Sequence, residues 1–326
     1  MKKIIIGILI AVIAIAGIKA ALSFQQKQTD QTAQSNNARV IRIGYQASSS
    51  LTVLEKTQKI LENELAKDNV KVEYRLFLAG PPMNEALASG QIDIANMGPL
   101  PAISAKGNGI NVKAIGRSYS DDYYYSLLIR PDSDISSLAD LKGKKIGVQL
   151  GSGAYVFFLF LLDQNHLSLD DFNVVNMTTS DQKSALQNNN VDAVVTWQPF
   201  VADIELDNAG KTLINSKGVI KTAGVYLMRT EFGEKNPDLV KKFLKAHEDT
   251  AAYLKDHPDE SLKAMAEDSK IPELPLQKSL QTIDWDINFT QDDLNTFTKI
   301  KDLMKNQGNI KKDFDINDFI DKSFIN

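Results

Sequence analysis

One strand and helix pattern occurs twice between Val40 and Phe200, and this repeat narrows the possible folds more than any other feature of the chain. In the first copy the strand-like VIRIGYQ (Val40 to Gln46) leads through a Ser-rich turn into a helix. VEYRLFLAG, the short helical MNEALASG and the strand QIDIANMGPLP follow. In the second copy KKIGVQ (Lys144 to Gln149) leads through GSGA into a helix, followed by FNVVNMT, a helix containing SALQNNN, and VDAVVTWQPF. Gly44 and Gln46 match Gly147 and Gln149, and the pairs Ala86, Leu87 and Ala185, Leu186 hold the same spacing to Asp93 and Asp192. Pro99 and Pro101 follow the first aspartate and Pro199 the second. Strands joined through helices by right-handed crossovers form parallel sheets, so each copy is expected to fold as one doubly wound α/β lobe.

Two further segments, YYSLLIRP (Tyr124 to Pro131) and GVYLMRTEF (Gly224 to Phe232), are both aliphatic and carry an arginine near the end. They suit a pair of hinge strands crossing between the lobes. The expected division is residues 40–125 plus 230–326 for lobe 1 and 126–229 for lobe 2, with the charged, helical C-terminal part completing lobe 1 and bracing the hinge.

Ahead of the repeat, Lys2 and Lys3 precede an apolar run from Ile4 to Ile18 that Lys19 closes. Fifteen apolar residues fall short of the roughly 20 that span a bilayer, so residues 1–20 are expected to be a signal peptide. The alternative is an uncleaved anchor that would hold the chain on the outer face of the inner membrane. Residues 21–39, rich in Gln, Asn, Ser and Thr, are too polar to bury and read as a flexible tether.

The chain has no cysteine, which excludes a lipid-modified cysteine, a disulfide and a thiolate nucleophile or metal ligand. An exported chain without a lipid anchor is retained most simply by a second membrane, so a periplasmic location is expected. Loss of residues 1–20 would remove Lys2, Lys3 and Lys19 and take the formal charge from −4 to −7. An acidic surface without a basic block does not suit phosphate contacts, so no nucleic-acid partner is expected.

In an open doubly wound sheet, ligands bind beyond the carboxyl ends of the strands. Gly151, Ser152, Gly153 and Ala154 sit there in the second copy, opening a helix whose first N–H groups and dipole favour an anion. Ala47, Ser48, Ser49 and Ser50 hold the equivalent turn before a helix near Leu51, beside Gln46. Each serine could equally be only an N-cap. At the ends of the third strands lie Met97, Gly98, Pro99 and Leu100 in one copy and Thr196, Trp197 and Gln198 in the other. Trp197 could cover the apolar part of a ligand, or simply fill the core. Arg117 could offer a guanidinium to an oxyanion, and Tyr123 and Tyr124 border the first crossing.

Nothing in the chain assembles a catalytic centre. His166, His247 and His257 are scattered, and HExxH, GxSxG and P-loop spacings are absent. No enzymatic activity, cofactor or metal is expected.

FLAGPPMNEALASGQIDIANMGPLPAI, LADLKGKKIGVQLGSGAYVFFLFLL and VDAVVTWQPF, in that order across about residues 40 to 260, resemble the periplasmic substrate-binding proteins of the aliphatic sulfonate, taurine and nitrate importers. The resemblance implies a type II periplasmic-binding fold with two hinge crossings, acting as a monomer that hands a small organic anion to the membrane permease of an ABC importer. It implies ligand contacts at Gln46, Ser48, Gly151, Ser152, Gly153, Trp197 and Gln198. Where many sulfonate-type relatives carry Gly-Asp-Xaa-Pro, this chain has Gly98, Pro99, Leu100 and Pro101, without the acid. An aliphatic sulfonate is the expected ligand, with nitrate, a carboxylate or a thiamine-type pyrimidine as alternatives within the fold and a membrane-tethered sensor outside it. Related enzymes that make that pyrimidine use histidine and cysteine, and this chain has no cysteine.

Overall fold

The computed structural model describes residues 39–46, 48 and 50–325. The leader and most of the tether expected from the sequence, together with Ala47 and Ser49, lie outside the described residues. The strands are β1 (Arg39–Tyr45), β2 (Val70–Leu76), β3 (Ile94–Met97), β4 (Val112–Asp121), β5 (Tyr125–Ile129), β6 (Lys145–Val148), β7 (Asn173–Asn176), β8 (Ala193–Trp197), β9 (Lys211–Asn215) and β10 (Thr222–Arg229). The helices are α1 (Leu51–Thr57), α2 (Ile60–Ala66), α3 (Gly80–Ala88), α4 (Pro99–Gly107), α5 (Gly153–Gln164), α6 (Thr179–Gln187), α7 (Phe200–Leu206), α8 (Thr230–Lys235), α9 (Pro237–Asp256), α10 (Pro258–Ser269), α11 (Glu273–Leu280), α12 (Gln291–Asn306) and α13 (Ile316–Phe319). No described helix is long and apolar enough to cross a membrane.

Two five-stranded sheets carry the repeat, ordered β2-β1-β3-β10-β4 and β7-β6-β8-β5-β9. In each, the first three strands run parallel and the fourth runs antiparallel to its neighbours. The equivalence extends to single side chains. A Cβ at Gly44 would lie 2.6 Å from Ile92 Cδ1, and one at Gly147 would lie 2.5 Å from Met177 Sδ, so a side chain covers the glycine closely at the same place in both strands. Asp93 accepts from the Arg42 N–H at 2.9 Å and pairs with Arg229, and Asp192 accepts from the Lys145 N–H at 2.9 Å and pairs with Arg130. Each aspartate therefore ties the lobe's first strand to the arginine at the end of the antiparallel one.

Three expectations are corrected. The two aliphatic segments do not pair with each other; β5 and β10 occupy the same fourth position in separate sheets. The sheets are consequently mixed rather than parallel throughout. Thr222–Arg229, expected in lobe 2, pairs with β3 and β4 of lobe 1. The reason is that β10 from Ala223 to Met228 is buried on both faces, and a two-sided apolar strand does not reveal which sheet it joins.

The crossings are therefore the short segments 122–124 and 216–221. Ser216, fully buried, ties them: its Oγ donates to the Asp122 carbonyl at 2.7 Å and accepts from the Tyr125 N–H at 3.2 Å, and its own N–H donates to the Tyr125 carbonyl at 2.9 Å. The C-terminal part packs on lobe 1 through Val240, Phe243 and Leu244 of α9 and then reaches across. In α11, Lys278 meets Glu205 of α7 in lobe 2 at 2.9 Å. Ser120 and Asp284 exchange two backbone hydrogen bonds of 2.8 Å alongside the first crossing, which braces the hinge.

Candidate functional site

The cleft between the lobes opens where β1, β3, β6 and β8 end, and Gln46, Gly98, Gln149 and Trp197 stand at those four ends in its lining. It encloses a cavity of about 60 Å³.

Lobe 1 presents three helix starts. Ser50 caps α1, its Oγ accepting from the Thr52 N–H at 3.2 Å, with Ser48 in the lining just ahead of it. Asn96, nearly buried at the cleft floor, donates to Ser50 Oγ at 2.7 Å and Thr52 Oγ1 at 2.9 Å, which locks the α1 start to β3. Ala79 and Gly98 precede α3 and α4 with no side-chain cap, and prolines occupy the first turn of each helix. These two helices start close together: a Cβ at Gly80 would lie 2.3 Å from Pro101 Cβ.

Lobe 2 presents the start of α5. Gly151 has φ +75°, a conformation that glycine adopts without strain, and it turns the chain so that Ser152 caps the helix by accepting from the Tyr155 N–H at 3.3 Å. The N–H groups of Gly153 and Ala154 belong to the first helical turn and have no intrahelical partner. A Cβ at Gly153 would fall 1.9 Å from the Tyr125 hydroxyl, and one at Gly98 would fall 4.0 Å from it. Tyr125 thus reaches from the hinge to sit between helix starts of opposite lobes.

Tyr119, Tyr124, Tyr125 and Trp197 form an aromatic wall. Tyr119 and Tyr124 stack with centroids 4.7 Å apart, and Trp197 stands edge-on to Phe200 at 6.0 Å. Burial pushes the hydroxyls of all three tyrosines above their ordinary range, so they remain neutral donors. Among the described lining residues there is no Asp, Glu, Lys, Arg or His. The positive ends of α3, α4 and α5, with α1 behind Ser48, are therefore the main electrostatic feature; Pro81, Pro82, Pro99 and Pro101 carry no N–H, so a small anion is met by the dipoles, by the N–H groups of the α5 start and by the hydroxyl donors.

Of the residues singled out in the sequence, the structure gathers Gln46, Ser48, Met97, Gly98, Gly151, Ser152, Gly153, Tyr124 and Trp197 into this lining. Five others are placed elsewhere. Pro99 and Leu100 are buried in the first turn of α4, and Ala154 is buried in α5. Gln198 turns away, its Oε1 accepting from the Ala202 N–H at 3.3 Å at the start of α7. Arg117, 1% exposed, lies outside the lining: its guanidinium meets Asp284 at 2.6 Å and Asp293 at 3.5 Å, and its Nε donates to the Asp286 carbonyl. An arginine so enclosed is committed to the brace behind β4. Ser49 lies outside the described residues.

Sequence reasoning did not select Ala79, Gly80, Pro81, Asn96, Pro101, Tyr119, Tyr125, Gln149 or Leu150, all of which line the cleft. Gln149 was within reach as the repeat partner of Gln46, and Gly80 followed by Pro81 and Pro82 is a helix-start signature. Tyr119 and Tyr125 gave no signal, because they sit inside fully buried strands.

Comparison with known proteins agrees with this architecture. Residues 67–261 match the family described as NMT1/THI5 like. A Bacillus subtilis (strain 168) protein that bears the name aliphatic sulfonates-binding protein is 29% identical over 328 residues, covering 100% of this chain and 96% of its own length. The taurine-binding periplasmic protein of Escherichia coli (strain K12) is 28% identical, covering 72% of each chain. Among solved structures, the periplasmic aliphatic sulphonate binding protein SsuA from Escherichia coli superposes with a TM-score of 0.77 at 27% identity, covering 87% of this chain and 98% of that one. With the family match spanning more than half of its length and the two-lobed fold shared, the chain belongs to the NMT1/THI5-like family.

Proposed function

We propose that this chain is the solute-binding component of an ABC importer and captures a small organic sulfonate in the interlobe cleft. The observation that carries this reading is the convergence of helix N-termini from both lobes on a cleft whose described lining holds no charged side chain. A sulfonate offers three acceptor oxygens to such donors, and its single charge is met by helix dipoles rather than by a counter-ion. Rotation about the crossings held by Ser216 would close the lobes on the ligand and present one surface to the membrane permease. The periplasmic location and sulfonate ligands in the relatives' names support the same role. The lobes divide at residues 122–124 and 216–221, and the protein works as an exported monomer that binds without turnover.

A thermal-shift panel with alkanesulfonates, taurine, sulfate, nitrate, a carboxylate and a thiamine-type pyrimidine tests the ligand class. At 100 times its dissociation constant a ligand stabilises the folded state by roughly 2.7 kcal/mol, a rise of a few degrees. A rise with sulfonates is the expected result. A flat response to them beside a rise with the pyrimidine would reject the sulfonate.

A further inference from the structure

Apart from the two crossings and the cleft, the lobes touch where α7 meets α11. Phe200, the first residue of α7 in lobe 2, packs against a lobe 1 cluster built from Tyr45, Val53, Leu54, Leu262 and Leu276. Five residues on, Glu205 is held within lobe 2 by the Thr212 hydroxyl, which donates to its Oε1 at 2.7 Å, and its Oε2 meets Lys278 of α11 at 2.9 Å. Phe200, Glu205, Leu276 and Lys278 are not among the described residues that line the cleft. Both helices are anchored to the same crossing. The Gln198 N–H, two residues before α7, donates to the Tyr124 carbonyl at 2.9 Å. The Thr282 hydroxyl, two residues after α11, donates to Asp121 Oδ2 at 2.9 Å, while Asp121 Oδ1 accepts from the Tyr123 N–H at 2.7 Å. A contact so close to the hinge segment 122–124 moves little when the lobes rotate. The two crossings are bound to each other at Ser216 and act nearly as one point, about which the lobes could twist as well as bend. A second point beside it leaves a single axis.

We propose that the contact between α7 and α11 is a pivot, which stays made whether the lobes are open or closed and confines their motion to one axis. Rotation on that axis brings Gly151 of lobe 2 back to Pro81 of lobe 1, the approach seen here, where a Cβ on the glycine would lie 3.7 Å from the proline ring. Twisted arrangements, in which the start of α5 misses those of α3 and α4, are excluded. A larger share of the ligand-free protein is then able to close productively, and affinity rises by that share although no pivot residue touches the ligand. Phe200 and the Glu205–Lys278 pair are thus positioning residues. The proposal rests on the lobe closure in the reading above, not on the identity of the ligand.

Distances between paired nitroxide labels in the full chain test the pivot, since a chain without cysteine takes labels only where cysteine is introduced. One pair, Leu206→Cys with Gln277→Cys, spans the contact from exposed positions on α7 and α11. The other, Glu85→Cys with Ser184→Cys, uses exposed positions on α3 and α6 that the repeat makes equivalent. Without ligand the first pair is expected to give one narrow distance and the second a broad distribution. Ethanesulfonate should shorten and narrow the second distance and leave the first where it was. Lys278→Glu should broaden the second distribution further and weaken ethanesulfonate binding about two- to fivefold in titration calorimetry, and adding Glu205→Lys should restore both. A first distance that is broad without ligand, or that moves as far as the second, overturns the pivot. So does a narrow second distribution without ligand, which leaves no rotation to confine. If Lys278→Glu lowers the urea midpoint without broadening the second distribution, the pair serves packing alone and the pivot is likewise overturned. Ethanesulfonate that neither binds nor closes the lobes rejects the sulfonate reading, while the ligand-free distributions still decide the pivot.

Discussion

Replacing Glu55 by glutamine should make the protein more stable in alkaline solution, by an amount that grows with pH. Glu55 lies on α1, 1% exposed, with the Tyr74 hydroxyl donating to it at 2.8 Å and Glu62 on the far side of that hydroxyl at 3.4 Å. Burial, helped by the charge of Glu62 and opposed by the Tyr74 hydrogen bond, raises its pKa from 4.5 to about 8. The folded protein therefore keeps a proton that the unfolded chain releases above 4.5. Stability is fully present below that value and is lost as pH rises through about 8. The slope is about 1.4 kcal/mol per pH unit, so the loss accumulated over this window is on the order of 5 kcal/mol. Glutamine keeps an acceptor for Tyr74 and has no proton to release. Urea midpoints measured at half-unit steps from pH 5 to 9 should show the unsubstituted protein falling progressively behind Glu55→Gln, with the gap levelling off above about pH 8. Parallel curves across that range would refute the reasoning, since they would mean that Glu55 titrates alike in the folded and unfolded states.

On the acid side, burial lowers the pKa of His247 from 6.5 to about 4, so stability should be lost as pH falls between those values, by roughly 3 kcal/mol in urea denaturation. Trp197→Ala should weaken sulfonate binding by about 10- to 100-fold in titration calorimetry through loss of a large contact in the cleft. Gly151→Ala should destabilise by about 1–2 kcal/mol in the same urea assay, because alanine is strained at φ +75°, and should weaken binding as well. Arg117→Met should cost about 3–5 kcal/mol by leaving the fully buried Asp293 without its cation, held only by the Thr290 N–H and hydroxyl, while sulfonate affinity stays within about twofold because the guanidinium lies outside the cleft.

The repeat made the two-lobed fold legible, because Gly44 with Gly147 and Asp93 with Asp192 recur at the same places in both sheets, the glycines closely covered and each aspartate bonded to the lobe's first strand. The glycine and serine turns before α1 and α5 were legible for a related reason: helix starts with unpaired N–H groups have a recognisable composition. Tyr119 and Tyr125 were not, because a cleft wall built from strand residues has the same apolar character as the core behind it. Gln198 and Leu100 show the opposite error. Each lies one residue from a lining position, and the turn of a helix start carries its side chain away from the ligand. Arg117 looked available because its partners Asp284, Asp286 and Asp293 lie more than 160 residues later in the chain.

The strand order of lobe 1 fixes a sequence of events during synthesis. Every strand of lobe 2, from β5 to β9, lies within one continuous stretch, so that sheet can close as soon as Asn215 has emerged. Lobe 1 cannot do the same, because β4 reaches β3 only through β10, which is made about a hundred residues later. Until then two strand edges stand open, and open edges invite pairing with other chains. Of the two lobes, the one that starts first finishes last.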